Sequence, residues 1–359
     1  MDFLINFLIY LFLGVGGSLL VNGLLLRFSK TLGIRNKNDV SIRWSNESKP
    51  SLGGISMFAS LIFSLIVFSI MFDSKDVFED QQIVGLISAA SLAFLIGIAD
   101  DAYNTKPILK LIGQIFCGVI LVYSGTVIEI FDSLIWNQLC TILWVIIIMN
   151  SLNMLDNMDG IAATVSFFIL LTCLVVNLLH NGFNFSVLNF IVITQLGCLI
   201  GFLKYNIHPS KMFMGDTGSQ FLSLLVAFIS IHYLWNIDLT SNQNLSISWL
   251  LGFFITLAAF TPAAIDTLTV VINRLRRGKS PMVGGKDHTT HHLVYKGYTE
   301  IRVWIYFFGI SILSSAIAVL ILIGAIHEIK NIYILAILNF LFHFIYLYRI
   351  TINYKKNTI

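Results

Sequence analysis

The chain is short of charge. Only 11% of its 359 residues are Asp, Glu, Lys or Arg, against 57% apolar residues and a mean hydropathy of +0.84. A water-soluble surface needs more charge than that, so an ordinary soluble domain is excluded. Cysteine is scarce too. Cys117, Cys140, Cys173 and Cys198 all fall within apolar runs and have no paired spacing, which indicates neither a disulfide framework nor a zinc site. No repeat or low-complexity tract interrupts the sequence. The first apolar run lacks a basic start and a small-residue cleavage site and is too long for a signal-peptide core, so it is expected to persist as a helix.

What is present is a succession of apolar runs, each near the roughly 20 residues that cross about 30 Å of hydrocarbon. Eleven are expected to span a membrane: 3–26, 52–72, 82–98, 107–128, 134–152, 160–180, 184–203, 218–235, 246–272, 302–325 and 331–348. The fold class is therefore an all-α polytopic membrane protein, a single domain over residues 1–359.

The basic residues fall in alternate gaps. Arg27, Lys30, Arg35, Lys37, Arg43 and Lys49 fill the first, Lys106 and Lys110 the third, and Lys204 and Lys211 the seventh. Arg274, Arg276, Arg277, Lys279, Lys286, Lys296 and Arg302 fill the ninth, and Arg349, Lys355 and Lys356 the tail. Of 22 basic residues only Lys75 and Lys330 face the other side, which holds Asp73, Asp76, Glu79, Asp80, Glu129, Asp132 and Asp238. The positive-inside rule then puts the N-terminus outside and the C-terminus in the cytoplasm.

Four polar clusters share the basic side. Asp100 and Asp101 are adjacent carboxylates at the end of an apolar run, costly unless a cation stands near; the plain alternative is a solvated helix end. Pro107 suits a helix start, after which Lys110 and Gln114 share a face that suits a phosphate, or a snorkelling lysine. In NSLNMLDNMDG, Asn150, Asn153, Asp156 and Asp159 recur every three residues and share one side if the helix runs through them, with no Lys or Arg among them. Such oxygens suit a hard cation such as magnesium, or the donors of a nucleotide base and ribose; helix capping is the alternative.

The third cluster holds Asn206, Lys211 and the Gly215-Asp216-Thr217-Gly218-Ser219 turn, which opens a helix whose free amides favour a metal–diphosphate pair. Alone it reads as a common N-cap. The fourth runs from Asp266 through Arg274, Arg276, Arg277 and Lys279 to His288, His291 and His292. Arginine forks fit phosphate oxygens, although basic juxtamembrane runs also serve topology and headgroup attraction.

These clusters, with Pro50, Gly53 and Gly54 at the start of the second span, resemble the polyprenyl-phosphate N-acetylhexosamine-1-phosphate transferase family, glycosyltransferase family 4. The resemblance covers nearly the whole chain. It implies transfer of a sugar 1-phosphate from a UDP-sugar to undecaprenyl or another polyprenyl phosphate, with release of UMP, at the cytoplasmic face of a bacterial inner membrane. Such transfer initiates envelope glycans such as O-antigen or teichoic acid. Magnesium is the implied cofactor and manganese its substitute. The implied partners are a UDP-N-acetylhexosamine, polyprenyl phosphate and membrane lipids, with no nucleic acid and with a homodimer left open.

By the same resemblance Asp216 is the metal-binding acid and Asn153 its neighbouring ligand. Asp100 deprotonates the lipid phosphate, with Asp101 beside it in the catalytic pair; Asp156 and Asp159 shape the nucleotide-sugar pocket, and Arg274, Arg276, His291 and His292 belong to the diphosphate loop. The polar clusters themselves add Lys110 and Gln114 as contacts of the lipid phosphate and Asn150, Asn206 and Lys211 as residues of the nucleotide-sugar pocket. One departure is visible: the commoner loop reads His-x-His-His, whereas DHTTHH puts Thr289 at the first histidine unless His288 takes it by a one-residue shift. The Phe-Glu that ends the peptidoglycan translocase's loop is absent, which points to a smaller N-acetylhexosamine than the muramyl-pentapeptide. A transporter or lipid flippase is the alternative from another class; it places polar groups near the bilayer midplane instead of at one interface.

Overall fold

The computed structural model describes residues 2–29, 49–72, 75–183, 186–237, 248–282 and 284–354. Of the charge map, Lys30, Arg35, Lys37, Arg43, Asp73, Asp238, Lys355 and Lys356 lie outside the described residues.

The apolar runs fold as helices because helices satisfy their own backbone without water. In chain order they are α1 (Asp2–Ser29), α2 (Gly53–Met71), α3 (Gln81–Tyr103), α4 (Pro107–Tyr123), α5 (Leu134–Leu155), α6 (Ile161–Asn181), α7 (Val187–Asn206), α8 (Gly215–Ser230), α9 (Ser248–Arg276), α10 (Thr289–Tyr295), α11 (Glu300–Ile326) and α12 (Ile334–Asn353). Short polar residues set several starts. The Asp80 carboxylate accepts the N–H groups of Gln82 and Ile83, and the Ser186 hydroxyl accepts that of Asn189. A π-turn, Ile231–Trp235, prolongs α8.

Among the described residues ten helices are long and apolar enough to cross a membrane. The expected fourth span, 107–128, is shorter than its apolar composition suggests. Its helix stops at Tyr123, and Gly125 turns the chain at φ +88°. Val127 to Phe131 run as a loop whose backbone is met by side chains: Thr141 accepts the Ile128 N–H, Asn137 those of Ile130 and Phe131, and Asn236 bonds Val127 and Glu129. The short α10, inside the ninth gap, was not expected from the apolar pattern.

α8 forms the axis of the bundle and is buried almost throughout, with α2, α3, α5 and α6 around it. Without a hydrophobic drive between helices in lipid, close packing needs small residues. A Cβ on Gly54 would meet the Gly218 backbone at 2.3 Å, and one on Gly97 the Asp216 carbonyl oxygen at 2.5 Å. α2 and α3 therefore lie backbone to backbone on the first turn of α8, which carries Asp216.

Candidate active site

The C-terminal ends of α3, α5 and α9 and the N-terminal ends of α4 and α8 converge on a cavity of about 820 Å³. At its wall the Lys110 Nζ lies 2.8 Å from Asp100 Oδ2 and 2.7 Å from Asp216 Oδ1. The Asn153 amide donates to the same Asp216 oxygen and to Ser219 Oγ, both at 2.7 Å. One ammonium thus offsets two carboxylates that would otherwise repel, and Asp216 also profits from the positive end of α8. Asp100 Oδ1 accepts the Thr105 N–H at 2.9 Å and its hydroxyl at 2.6 Å, so both oxygens of Asp100 are engaged.

Asp101 turns elsewhere. Its Oδ2 accepts the Thr217 N–H at 2.9 Å and hydroxyl at 2.8 Å, joining the last turn of α3 to the first of α8, and it does not line the cavity. Gln114 departs from the expected phosphate contact as well. It is fully buried, donates to Gln220 Oε1 at 3.1 Å and accepts from Asn150 Nδ2 at 2.7 Å. One turn beyond Lys110, the same face of α4 has passed from the rim into the core. Gln114 orients Asn150, which does line the cavity.

The three-residue repeat does not lie on one helical face, because α5 ends at Leu155. Asp156 sits at the helix cap and Asp159 in the following loop, where Gly160 at φ +77° turns the chain. Asn150, Asn153, Asp156 and Asp159 nevertheless all border the cavity. Asp159 accepts from the Ser210 N–H and hydroxyl at 3.1 and 2.8 Å. Asn206 borders it too, while its amide accepts from Gly160 and donates to Met212. Lys211 is exposed and off the cavity wall.

In the histidine loop, Arg274 borders the cavity but spends its fork internally. Nε and Nη2 bond the Asp287 carboxylate at 2.9 and 2.7 Å, and Nη1 bonds the Pro281 carbonyl at 2.8 Å. Burial raises the Asp287 carboxyl, and the Arg274 hydrogen bonds and charge outweigh this, leaving it below the ordinary carboxylate range. His291 also faces the cavity; burial, aided by the neighbouring His288, pushes it down to about 3. Arg276 and His292 do not reach the cavity. Arg276 bonds the Tyr348 hydroxyl and His292 the Tyr354 carbonyl, so both hold the end of α12.

Four residues, Asp266, His288, Thr105 and Glu300, border or support the cavity without a role assigned from the sequence. Asp266, fully buried, holds the His288 Nδ1 at 2.9 Å and caps α10 through the Thr289 N–H and hydroxyl. His288 thereby reaches the cavity wall, one residue from the position where the commoner loop has its first histidine. An acid within an apolar run was the available signal for Asp266. Thr105 and Glu300 had none.

A hard cation can be tested against these groups. Among the described residues no hydrogen bond falls on Asp216 Oδ2, and the buried Asp101 Oδ1 has no partner. Oxygen donors of this kind suit magnesium. Asn153 presents its NH₂ to Asp216 and would join such a set after a half-turn of its amide.

Comparison with known proteins bears on the same residues. Residues 83–234 match the family described as glycosyl transferase family 4. The chain is 26% identical over 260 residues to a probable undecaprenyl-phosphate N-acetylglucosaminyl 1-phosphate transferase of Bacillus subtilis, covering 70% of this chain and 67% of that protein. It is 27% identical over 274 residues to the decaprenyl-phosphate N-acetylglucosaminephosphotransferase of Mycolicibacterium smegmatis, with 70% and 67% covered. It is also 26% identical over 330 residues to a phospho-N-acetylmuramoyl-pentapeptide-transferase of Prochlorococcus marinus, with 84% and 86% covered. The matched segment holds Asp100, Lys110, Asn153 and Asp216, and it is similar to the same family that the four polar clusters resemble.

Proposed function

We propose that this chain is a magnesium-dependent membrane phosphotransferase that moves an N-acetylhexosamine 1-phosphate from a UDP-sugar to a polyprenyl phosphate and releases UMP. The observation that carries this reading is the Lys110 bridge between Asp100 and Asp216 on the wall of a cavity bordered on another side by Arg274, His288 and His291. Both reactants are anionic, and attack of one phosphate on another is unfavourable until positive charge offsets the approach. The relatives' names refer to polyprenyl phosphates and N-acetylglucosamine. GlcNAc is therefore the first sugar to test, and the absent Phe-Glu speaks against the muramyl-pentapeptide.

A phosphate monoester has a second pKa of about 6, so the lipid phosphate is already ionised at neutral pH. It needs orientation more than a base. Asp100, with both oxygens engaged, holds the Lys110 ammonium where the acceptor phosphate must come. Arg274 braces the loop through Asp287 so that His288 and His291 face the sugar nucleotide. Magnesium, held by Asp216 and a turned Asn153, would neutralise diphosphate charge. The lipid phosphate then attacks the β-phosphate directly; a sugar-phosphate trapped on the protein without acceptor would demand a two-step route instead.

The site residues stand at helix ends, as an interfacial reaction requires and a midplane transport site does not. With basic residues at this end, we place it in the cytoplasm of a bacterial inner membrane, with the N-terminus outside. The deciding assay measures UMP release from a panel of UDP-N-acetylhexosamines in membranes supplied with polyprenyl phosphate and magnesium. No turnover with any sugar, together with an Asp216→Asn variant indistinguishable from the parent, would sink the reading.

A further inference from the structure

At the cavity wall away from the Lys110 bridge stands a second group of ligand-type side chains, whose acid Asp159 also belongs to the expected nucleotide-sugar pocket. Asp159 from the loop after α5, His208 from the loop after α7 and Glu300 at the start of α11 each offer one ligand atom, all within 4.8 Å of one another. The His208 Nδ1 lies 3.2 Å from Asp159 Oδ2 and 2.7 Å from Glu300 Oε2. We propose that these three residues form a binding site for a transition-metal dication of the zinc class, distinct from the magnesium position at Asp216.

Ligand chemistry favours that class. One imidazole and two carboxylates mix nitrogen with oxygen, which suits zinc better than the all-oxygen preference of magnesium. Ligands about 2.0–2.1 Å from a tetrahedral zinc stand about 3.3 Å apart. The Asp159–His208 pair is already at that separation, and the Glu300 carboxylate, on a flexible side chain, stands within 4.8 Å of Asp159 and has to open by about half an ångström from His208. The first ligand is also held in place. The Ser210 N–H and hydroxyl bond the Asp159 carboxylate, the kind of outer support that orients metal ligands. Three ligands leave a fourth position, and Asp159 and Glu300 border the cavity. The competing account is that a proton on His208 alone joins the two acids.

The purified full-length protein in detergent, titrated with cobalt(II) as a spectroscopic stand-in for zinc, separates the two. The expected result is one equivalent bound with a d–d absorption of low-symmetry four- or five-coordinate cobalt, displaced by zinc and unaffected by a hundredfold excess of magnesium. His208→Gln and Glu300→Gln, changes on two different elements, should each weaken binding at least about tenfold, while Asp216→Asn retains it. Absence of the band, its displacement by magnesium, or its persistence in both the His208 and Glu300 variants would overturn the proposal. None of these readouts depends on sugar transfer, so failure here leaves the transferase reading untouched, and the reverse.

Discussion

The Lys110 ammonium lies 2.7 Å from the Asp216 carboxylate although 106 residues separate them in the chain. That contact, shared with Asp100, joins the starts of α4 and α8 to the end of α3. Replacing Lys110 with Met leaves two carboxylates facing each other and removes the cation proposed to meet the acceptor phosphate. The expected loss in kcat/KM for UMP release is at least about 10²-fold, or ~2.7 kcal/mol of transition-state stabilisation. Lys110→Arg, which keeps the charge, should recover part of it. A Met variant within about threefold of the parent would remove Lys110 from the mechanism.

The helices were legible because each apolar run must satisfy its own backbone in lipid. Ten of the eleven expected spans correspond to helices of spanning length, and the eleventh was overextended because Thr126, Val127 and Ile128 look like span residues. What marks them as loop is a set of distant side chains, Asn137, Thr141 and Asn236, whose reach no local pattern reveals. The site divides along similar lines. Asp100, Asn153 and Asp216 announce themselves as acids and amides at a membrane edge. Whether a given polar residue faces the cavity depends on helix rotation and packing, and this separates Lys110 from Gln114 on one face of α4 and Arg274 from Arg276 in the last turn of α9.

The engaged oxygens of Asp100 distinguish positioning from proton transfer. If Asp100 holds Lys110, Asp100→Asn keeps the contacts with Thr105 but loses the charge that steadies the ammonium. The rate should then fall by roughly 10- to 100-fold across the whole pH range, with the acid limb of kcat/KM unmoved. If Asp100 is the base, the variant loses that limb and its residual rate climbs with hydroxide. The pH–rate profile, measured with saturating acceptor, tells these apart.

Acid should loosen the histidine loop in two stages. His291 is held neutral by burial, with a value near 3 in the folded protein against about 6.5 when exposed. A base with a depressed value gives stability that is complete above its unfolded value and declines as pH falls from about 6.5 towards 3. Asp287 is also depressed, below an ordinary value of about 3.9. Its contribution holds above that value and is lost only as pH falls further. Proteolysis of the 278–288 segment in detergent should therefore be flat from pH 8 to 7, rise below about 6.5, and steepen below about 4. His291→Gln should diminish the first rise, with the adjacent His292, also held low by burial, keeping the remainder, and leave the second. A first rise unchanged in that variant would assign it to another group.

The α3–α8 crossing sets the position of Asp216, and one glycine controls it. A Cβ at Gly97 would stand 2.4 Å from Thr217 Cα, 2.5 Å from the Asp216 carbonyl oxygen and 2.6 Å from Thr217 N. These are backbone atoms and cannot swing aside, so in Gly97→Ala the helices must part by about an ångström. Overpacking of this kind costs about 1–3 kcal/mol. A displacement of that size at a reacting centre costs about 10²-fold in rate. Gly309→Ala in α11 is the matched control, since nothing stands within 4 Å of its added Cβ; relief of glycine's entropy there should stabilise by about 0.5–1 kcal/mol with activity intact. Thermal unfolding and UMP release on both variants check this. Equal activities would show that the acid at the start of α8 tolerates movement, and the bridge to Lys110 would then be too loose to orient a phosphate.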